Sequence, residues 1–375
     1  MNSNNQQYEF KKKIIIVGAF PPPNSRVIGG VVSACKALLS SSFSSKYHLI
    51  LIDSTQISNP PPNLFVRSGL ALKRFLLYFV KLIHDRPDLV LIFASKGASL
   101  LEKGLMAWMA KLVGVRTILF PRHGDLISIA QKSNLQLLWI KSVMRGADYI
   151  LCQGPSWKHF AMNLIGFTDL RTPIVYNWTA TDEILSIGES RELQPVDIPT
   201  LLFLGWLEES KGIFDLLTVC QSISRDYKFR LLLAGRGRAE ESARDFVKAN
   251  KLNDFIQFVG WVSGMEKTLT LQKADILVLP SWKEGFPNSI IEAMAAKVAV
   301  IVTAVGNVPD LLADKNQVLL VPARDTTSLE ASIKTLLMDD QLRFGIAERG
   351  YQFAKENFSV ETGASRLVSI IENAV

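Results

Sequence analysis

Short apolar runs alternate with helix-length amphipathic segments along almost the whole chain, and this alternation restricts the fold more than any other feature. Residues 14–18, 47–52, 88–93, 116–120, 148–152 and 172–176 are strand-length runs rich in Ile, Val, Leu and Phe. Helical patterns at 31–40, 70–84, 100–113, 135–145 and 156–165 separate them. Uniformly apolar strands joined through helices form parallel sheets covered on both faces. The plan breaks in the polar, Glu-rich and Pro-punctuated stretch 178–198, which reads as a linker, and then restarts. Strands at 200–204, 229–234, 255–259, 275–280, 298–303 and 318–321 alternate with helices at 213–223, 239–249, 265–272, 328–338 and 341–353, and a helix at 360–372 closes the chain. A length of 375 residues suits two domains at about 150 residues each. The expected fold is therefore α/β, with two doubly wound parallel-sheet domains.

Several classes are disfavoured. The longest apolar runs, such as 75–80 and 298–305, fall far short of the roughly 20 residues that span a bilayer. The first residues, Met1-Asn-Ser-Asn-Asn-Gln-Gln, are polar and do not read as a signal peptide. Cys35, Cys152 and Cys220 are widely separated and form no CxxC pair, which suits buried thiols in a reducing compartment. The four histidines are scattered and no Asp-x-Asp occurs, so no metal site is expected. Charge is uneven. Residues 1–180 hold 21 Lys and Arg against 8 Asp and Glu, a surplus of 13, whereas the remainder carries a deficit of 6, for a net +7. A basic first half suits an anionic acceptor or an anionic membrane surface. Nucleic acid is not expected, because no Lys/Arg run is interleaved with aromatics.

The most informative stretch is Glu284-Gly285-Phe286-Pro287-Asn288-Ser289-Ile290-Ile291-Glu292-Ala293-Met294-Ala295, directly after the 275–280 strand. A helix beginning near Asn288 leaves its first N–H groups without intrahelical partners, and these amides with the helix dipole make an anion site. Glu284 lies on the loop before that helix and Glu292 in its first turns. The arrangement offers amides to a phosphate and a carboxylate on each side to hydroxyl groups. Ser289-x-x-Glu292 also fits a capping box, which would only tidy the helix start.

The whole string closely resembles the Glu-x7-Glu signature of the retaining glycosyltransferases with two Rossmann-like domains (GT-B, family four), which include sucrose synthases and bacterial mannosyltransferases. The resemblance implies that Glu284 touches the donor sugar and Glu292 the ribose, while Phe286, Pro287, Asn288, Ser289 and Ile290 line the diphosphate. Other positions match the family less specifically. Gly30, in the pair Gly29-Gly30 after the first strand, corresponds to a glycine that admits the donor phosphate and the acceptor; by itself the pair could equally be a tight turn. His123, after the 116–120 strand, corresponds to the active-site histidine. Lys211 corresponds to the diphosphate-binding lysine. Gly235 would shape a donor-side turn, and Trp261 and Val262 would line the base. Asn177 matches a hinge-proximal Asn or forms an Asx turn. One departure is plain: Trp206 stands where the family usually carries an Arg of the diphosphate clamp, and Arg236 or Arg238 could compensate.

The resemblance further implies domains at 1–180 for the acceptor and 181–355 for the nucleotide sugar, with 356–375 crossing back onto the first. It implies transfer from a nucleoside-diphosphate sugar, the co-substrate, to a glycan or lipid-linked acceptor, with no separate cofactor and no metal, on the cytoplasmic side of a membrane. A sugar-nucleotide epimerase on the same architecture and a non-catalytic nucleotide-binding relative are the rival readings. The helix pattern 70–84, with Phe75, Leu76, Phe79 and Ile83 beside Lys73, Arg74 and Lys81, either contacts a membrane or packs on its own sheet.

Overall fold

The structure, a computed structural model, describes residues 11–22, 29–55, 63–124 and 126–375. The polar stretch 1–10, residues 23–25 of the first Pro-rich loop, the Pro run 60–62 and Asp125 lie outside the described residues.

The chain forms two compact units, Met1–Val175 with Ala364–Val375, and Tyr176–Gly363. In the first, β1 (Lys13–Gly18), β2 (His48–Asp53), β3 (Leu89–Ala94), β4 (Arg116–Pro121) and β5 (Tyr149–Ile150) form one sheet in the order β2-β1-β3-β4-β5. Every pairing is parallel; Ile15 faces Ile50 on one side and Val90 on the other. All six residues of β3 are buried, as a central strand covered on both faces requires. The 172–176 run does not become a strand. It makes a single parallel bridge, Ile174 to Cys152, and the prolyl ring of Pro173 removes the donor that a longer ladder would need. All three cysteines are free and buried.

In the second unit, β6 (Thr200–Leu204), β7 (Arg230–Ala234), β8 (Ile256–Gly260), β9 (Ile276–Leu279), β10 (Ala299–Thr303) and β11 (Leu319–Val321) form a parallel sheet in the order β11-β10-β9-β6-β7-β8. The chain moves outward from β6 to β8 and then returns to the opposite flank of β6 with β9. The β6/β9 boundary is thus the point where strand order reverses. Loops leaving the carboxyl ends of two such strands diverge to opposite faces and leave a crevice for a ligand.

Two sequence expectations need correction. Residues 178–198 are not all linker: Asp182–Ser190 is a helix that buries Ile184 and Gly188. Its Asp182 and Glu183 lie in the first turn, where the dipole favours acids; acidic residues that look like a solvated linker are here a helix start. The domain limits also shift. Residues 176–180 belong to the second unit, because Asn177 bonds within it and Ala180 bridges Ser359. The last helix, Val360–Ala374, starts in the second unit and ends in the first. Its Glu372 takes hydrogen bonds from Lys12 and from the Tyr47 hydroxyl, both 2.7 Å.

Candidate functional site

The site in the second unit is assembled at the β6/β9 boundary. After β6 the chain turns through Gly205–Glu208 into a short 3-10 turn, Glu209–Lys211. After β9 it passes through Pro280 to Pro287 and enters the helix Asn288–Ala295. Because β6 and β9 are neighbours, the two loops meet: the Trp282 N–H donates to the Ser210 carbonyl at 2.9 Å. Lys211 and Glu284, 73 positions apart, form an ion pair there. The Ser281 hydroxyl donates to the same Glu284 oxygen at 2.9 Å. The Glu284 carboxylate is thus fixed by two donors from two loops, and both charged groups keep part of their surface open to a ligand.

The loop carrying Glu284 is braced from outside as well. The Asn307 N–H donates to the Gly285 carbonyl at 2.8 Å, and the Trp282 indole donates to Asp215 at 2.7 Å. Gly306, at φ +59, runs so close that a Cβ there would sit 2.2 Å from the Glu284 carbonyl oxygen. Asn177 is buried, and its side-chain amide donates to the Phe286 carbonyl and the Asn288 side-chain oxygen, both 3.1 Å. It is a clamp on the helix entry, not an Asx turn.

The helix begins at Asn288, as the sequence predicts, with Pro287 at its N-cap and no side-chain hydrogen bond capping it. The capping-box reading of Ser289 and Glu292 is therefore excluded. Glu292 is instead buried and bound to Lys267 at 2.7 Å. Burial pushes the Glu292 carboxyl above its ordinary range, and Lys267 pulls it part of the way back. A carboxyl raised in the folded chain binds its proton more tightly there than in the unfolded chain. Its contribution to stability is full below the unfolded value and is lost as pH rises through the folded one. Glu284 thus lies on the loop that leads into this helix, and Glu292 is the fifth residue of the helix, held by Lys267.

The other predicted positions divide by location. Trp261 and Val262 follow β8, Val262 buried. Gly235 follows β7, and a Cβ on it would lie 1.8 Å from the Gly205 carbonyl oxygen, so only glycine lets the turns after β6 and β7 touch. Trp206, the departure from the expected Arg, rests its ring on Trp261 with centroids 4.7 Å apart, and is 37% exposed. The Leu207 N–H holds the Arg236 carbonyl at 2.9 Å, so Arg236 rides on the loop next to Trp206, and both Arg236 and Arg238 are exposed. Gly30 and His123 belong to the first unit: Gly30 opens the helix Gly30–Ser40, and His123 lies two residues past the end of β4. Lys267, on the helix Met265–Lys273, is the residue that sequence reasoning missed. A single Lys on an amphipathic helix 25 positions from Glu292 gives no local sign of its partner.

Among the described residues no helix is long and apolar enough to cross a membrane, and no group of three His, Cys, Asp or Glu side chains is placed to hold a metal ion.

The chain is similar to known glycosyltransferases. Residues 189–353 match the family model for glycosyl transferases group 1. Two uncharacterised glycosyltransferases of Methanocaldococcus jannaschii are 26% and 24% identical to the chain. The first alignment covers 63% of this chain and 61% of the relative, less than two thirds of its length. The second covers 88% and 90%. Among solved structures, sucrose-phosphate synthase from Thermosynechococcus elongatus superposes with a TM-score of 0.74 at 18% identity, over 97% of this chain and 99% of its own. HepE of Anabaena, solved with UDP and glucose, gives 0.69 at 14% identity, over 96% and 99%. These likenesses show the GT-B fold, with its two parallel α/β sheets. Over residues 189–353, the chain is similar to the glycosyl transferases group 1 family.

Proposed function

We propose that the protein is a retaining glycosyltransferase, of family four, that moves a sugar from a nucleoside-diphosphate donor to a glycan or lipid-linked acceptor in polysaccharide or glycolipid assembly. The observation that carries this reading is the joining of Lys211 and Glu284 beside the uncapped start of the helix Asn288–Ala295. A departing nucleoside diphosphate gains negative charge as the glycosidic bond breaks. An ammonium and oriented amides at that point stabilise the charge more in the transition state than in the bound donor. Glu284 accepts from sugar hydroxyls and Glu292 from ribose hydroxyls, while Trp261 and Val262 line the base. His123 and Gly30 serve the sugar and the acceptor. The acceptor hydroxyl attacks the face that the leaving group vacates, which retains the anomeric configuration. On this reading the reaction uses no metal and no separate cofactor, and takes place at the cytoplasmic face of a membrane. The solved HepE complex with UDP and glucose supports the donor class.

A panel of UDP-, GDP- and ADP-sugars tests it. One donor should release its nucleoside diphosphate in the presence of acceptor, with product of unchanged anomeric configuration by proton NMR, and release should collapse in Glu292→Ala and His123→Ala. Nucleotide binding with no turnover on any donor would favour a non-catalytic relative, the reading that Trp206 in place of Arg supports.

Glu292 also sets a pH dependence. Its carboxylate is the stronger acceptor for ribose hydroxyls, since protonation turns one of its oxygens into a donor, and burial raises its pKa. Affinity for the nucleoside diphosphate should therefore decline on the acid side at a pH above the ordinary glutamate range. Calorimetric titration across pH checks this: in Glu292→Gln binding should be weaker and that acid-side step absent, whereas an unchanged step would assign it elsewhere.

A further inference from the structure

The first unit exposes an apolar surface that no other described residue covers. The helix Leu64–His84 uses Tyr78 and Leu82 to pack inward, both buried. Phe75 is half-buried against the same core, so the stripe expected from the sequence splits between two faces. Phe65, Leu72, Leu76, Val80 and Ile83 lie at spacings of three, four or seven, hence on one side of the helix, and all are exposed, Phe65 by 90%. The neighbouring helix Ala98–Leu112 repeats the pattern with Leu101, Leu105, Trp108 and Leu112, the last 85% exposed. The next helix, Asn134–Met144, adds Leu135 and Leu138, 78% and 65% exposed. Monomeric soluble proteins seldom leave so much contiguous apolar surface without a partner.

Charge selects that partner. The three helices carry seven Lys and Arg and a single acid, Glu102. Glu102 is already engaged by Arg74 at 2.7 Å and by Lys103 at 3.0 Å. Arg67, Lys73, Lys81, Lys111 and Lys141 are left around the apolar stripes, with Lys81 near Asp85 at 3.3 Å. Trp108 is half-exposed, donates its indole N–H to the Ser142 carbonyl at 3.0 Å and has the Lys111 ammonium over its ring at 5.1 Å. Apolar side chains ringed by cations, with a Trp at the boundary, match a bilayer surface of anionic headgroups over acyl chains. We infer that the exposed face of the helices Leu64–His84, Ala98–Leu112 and Asn134–Met144 docks on an anionic lipid surface. This deepens the membrane-side reading above, but binding can be measured with no sugar nucleotide present, so its failure would leave the transfer reading intact.

The experiment is co-sedimentation of the full chain with vesicles of phosphatidylcholine, with and without phosphatidylglycerol. Wild type should bind the anionic vesicles, and added salt should weaken binding. Leu72→Gln/Leu76→Gln/Val80→Gln, all at exposed positions, should keep the wild-type melting curve and lose about a hundredfold in partitioning. Lys73→Glu/Lys81→Glu should lose tenfold or more on anionic vesicles only. Three results would overturn the inference: no binding to anionic vesicles, binding that both variants leave unchanged, or light scattering that shows a wild-type dimer dissociated by the triple substitution. The last would assign the face to a second copy of the chain.

Discussion

Replacing Lys211 with Ala should lower turnover by about a hundredfold or more, while the melting temperature shifts little. The magnitude follows from removing one preorganised electrostatic group at a developing anion. The stability loss is limited rather than absent: the pair is partly buried, with 24% of the Lys211 and 11% of the Glu284 side-chain surface in water, so solvent screens part of it. Ser281 still donates to Glu284 and holds the loop. The loss should fall on kcat more than on KM, because the interaction strengthens as the leaving group departs. Lys211→Arg should recover part of the rate, since charge returns while the fit to Glu284 changes. Initial-rate measurements of nucleoside diphosphate release decide the matter. A Lys211→Ala enzyme within threefold of wild type would remove the leaving-group role from this residue.

The second large effect belongs to a position with no functional group. Gly306→Ala should cost about 3 kcal/mol or more in urea unfolding and abolish nucleotide binding at temperatures where the variant is still folded. At φ +59 an L side chain is strained, and its Cβ would sit 2.2 Å from the Glu284 carbonyl oxygen and 2.6 Å from that of Gly285. Neither contact can be relieved by a flexible side chain, because both partners are backbone. The loop holding Glu284 must move, and the Asn307-to-Gly285 hydrogen bond goes with it. Gly29→Ala serves as a control: a Cβ there meets nothing within 4 Å among the described residues, so it should leave stability nearly unchanged. Equal stability of wild type and Gly306→Ala would show that the loop relaxes freely and is no part of a fixed site.

What could be read in the sequence was what is local. The helix start at Asn288, with acids on either side, is a contiguous pattern, and the structure places it where the pattern does. The alternating plan was legible for the same reason, since strand and helix periods repeat within a few residues. Partnerships set by topology were not. Lys211 finds Glu284 only because β9 returns to the flank of β6. Lys267 reaches Glu292 by the same kind of long-range closure. Asn177 could not be told from an Asx turn until its amide was seen on Phe286 and Asn288. For the helix Leu64–His84 the period was evident but not the facing: it carries apolar residues on two sides, and periodicity cannot say which one the sheet takes. The acidic helix Asp182–Ser190 was hidden by composition, because acids suit both a solvated linker and a helix's first turn.

The passage of the closing helix from one unit to the other decides how the protein can be cut. The second unit is one unbroken stretch of chain, whereas the first is made from two pieces that meet only after folding. A fragment ending at Val175 would lack Glu372 and expose Lys12 and Tyr47 where that carboxylate belongs. An isolated first unit must therefore carry residues 364–375 on a grafted tether, while the second unit can be expressed as it stands.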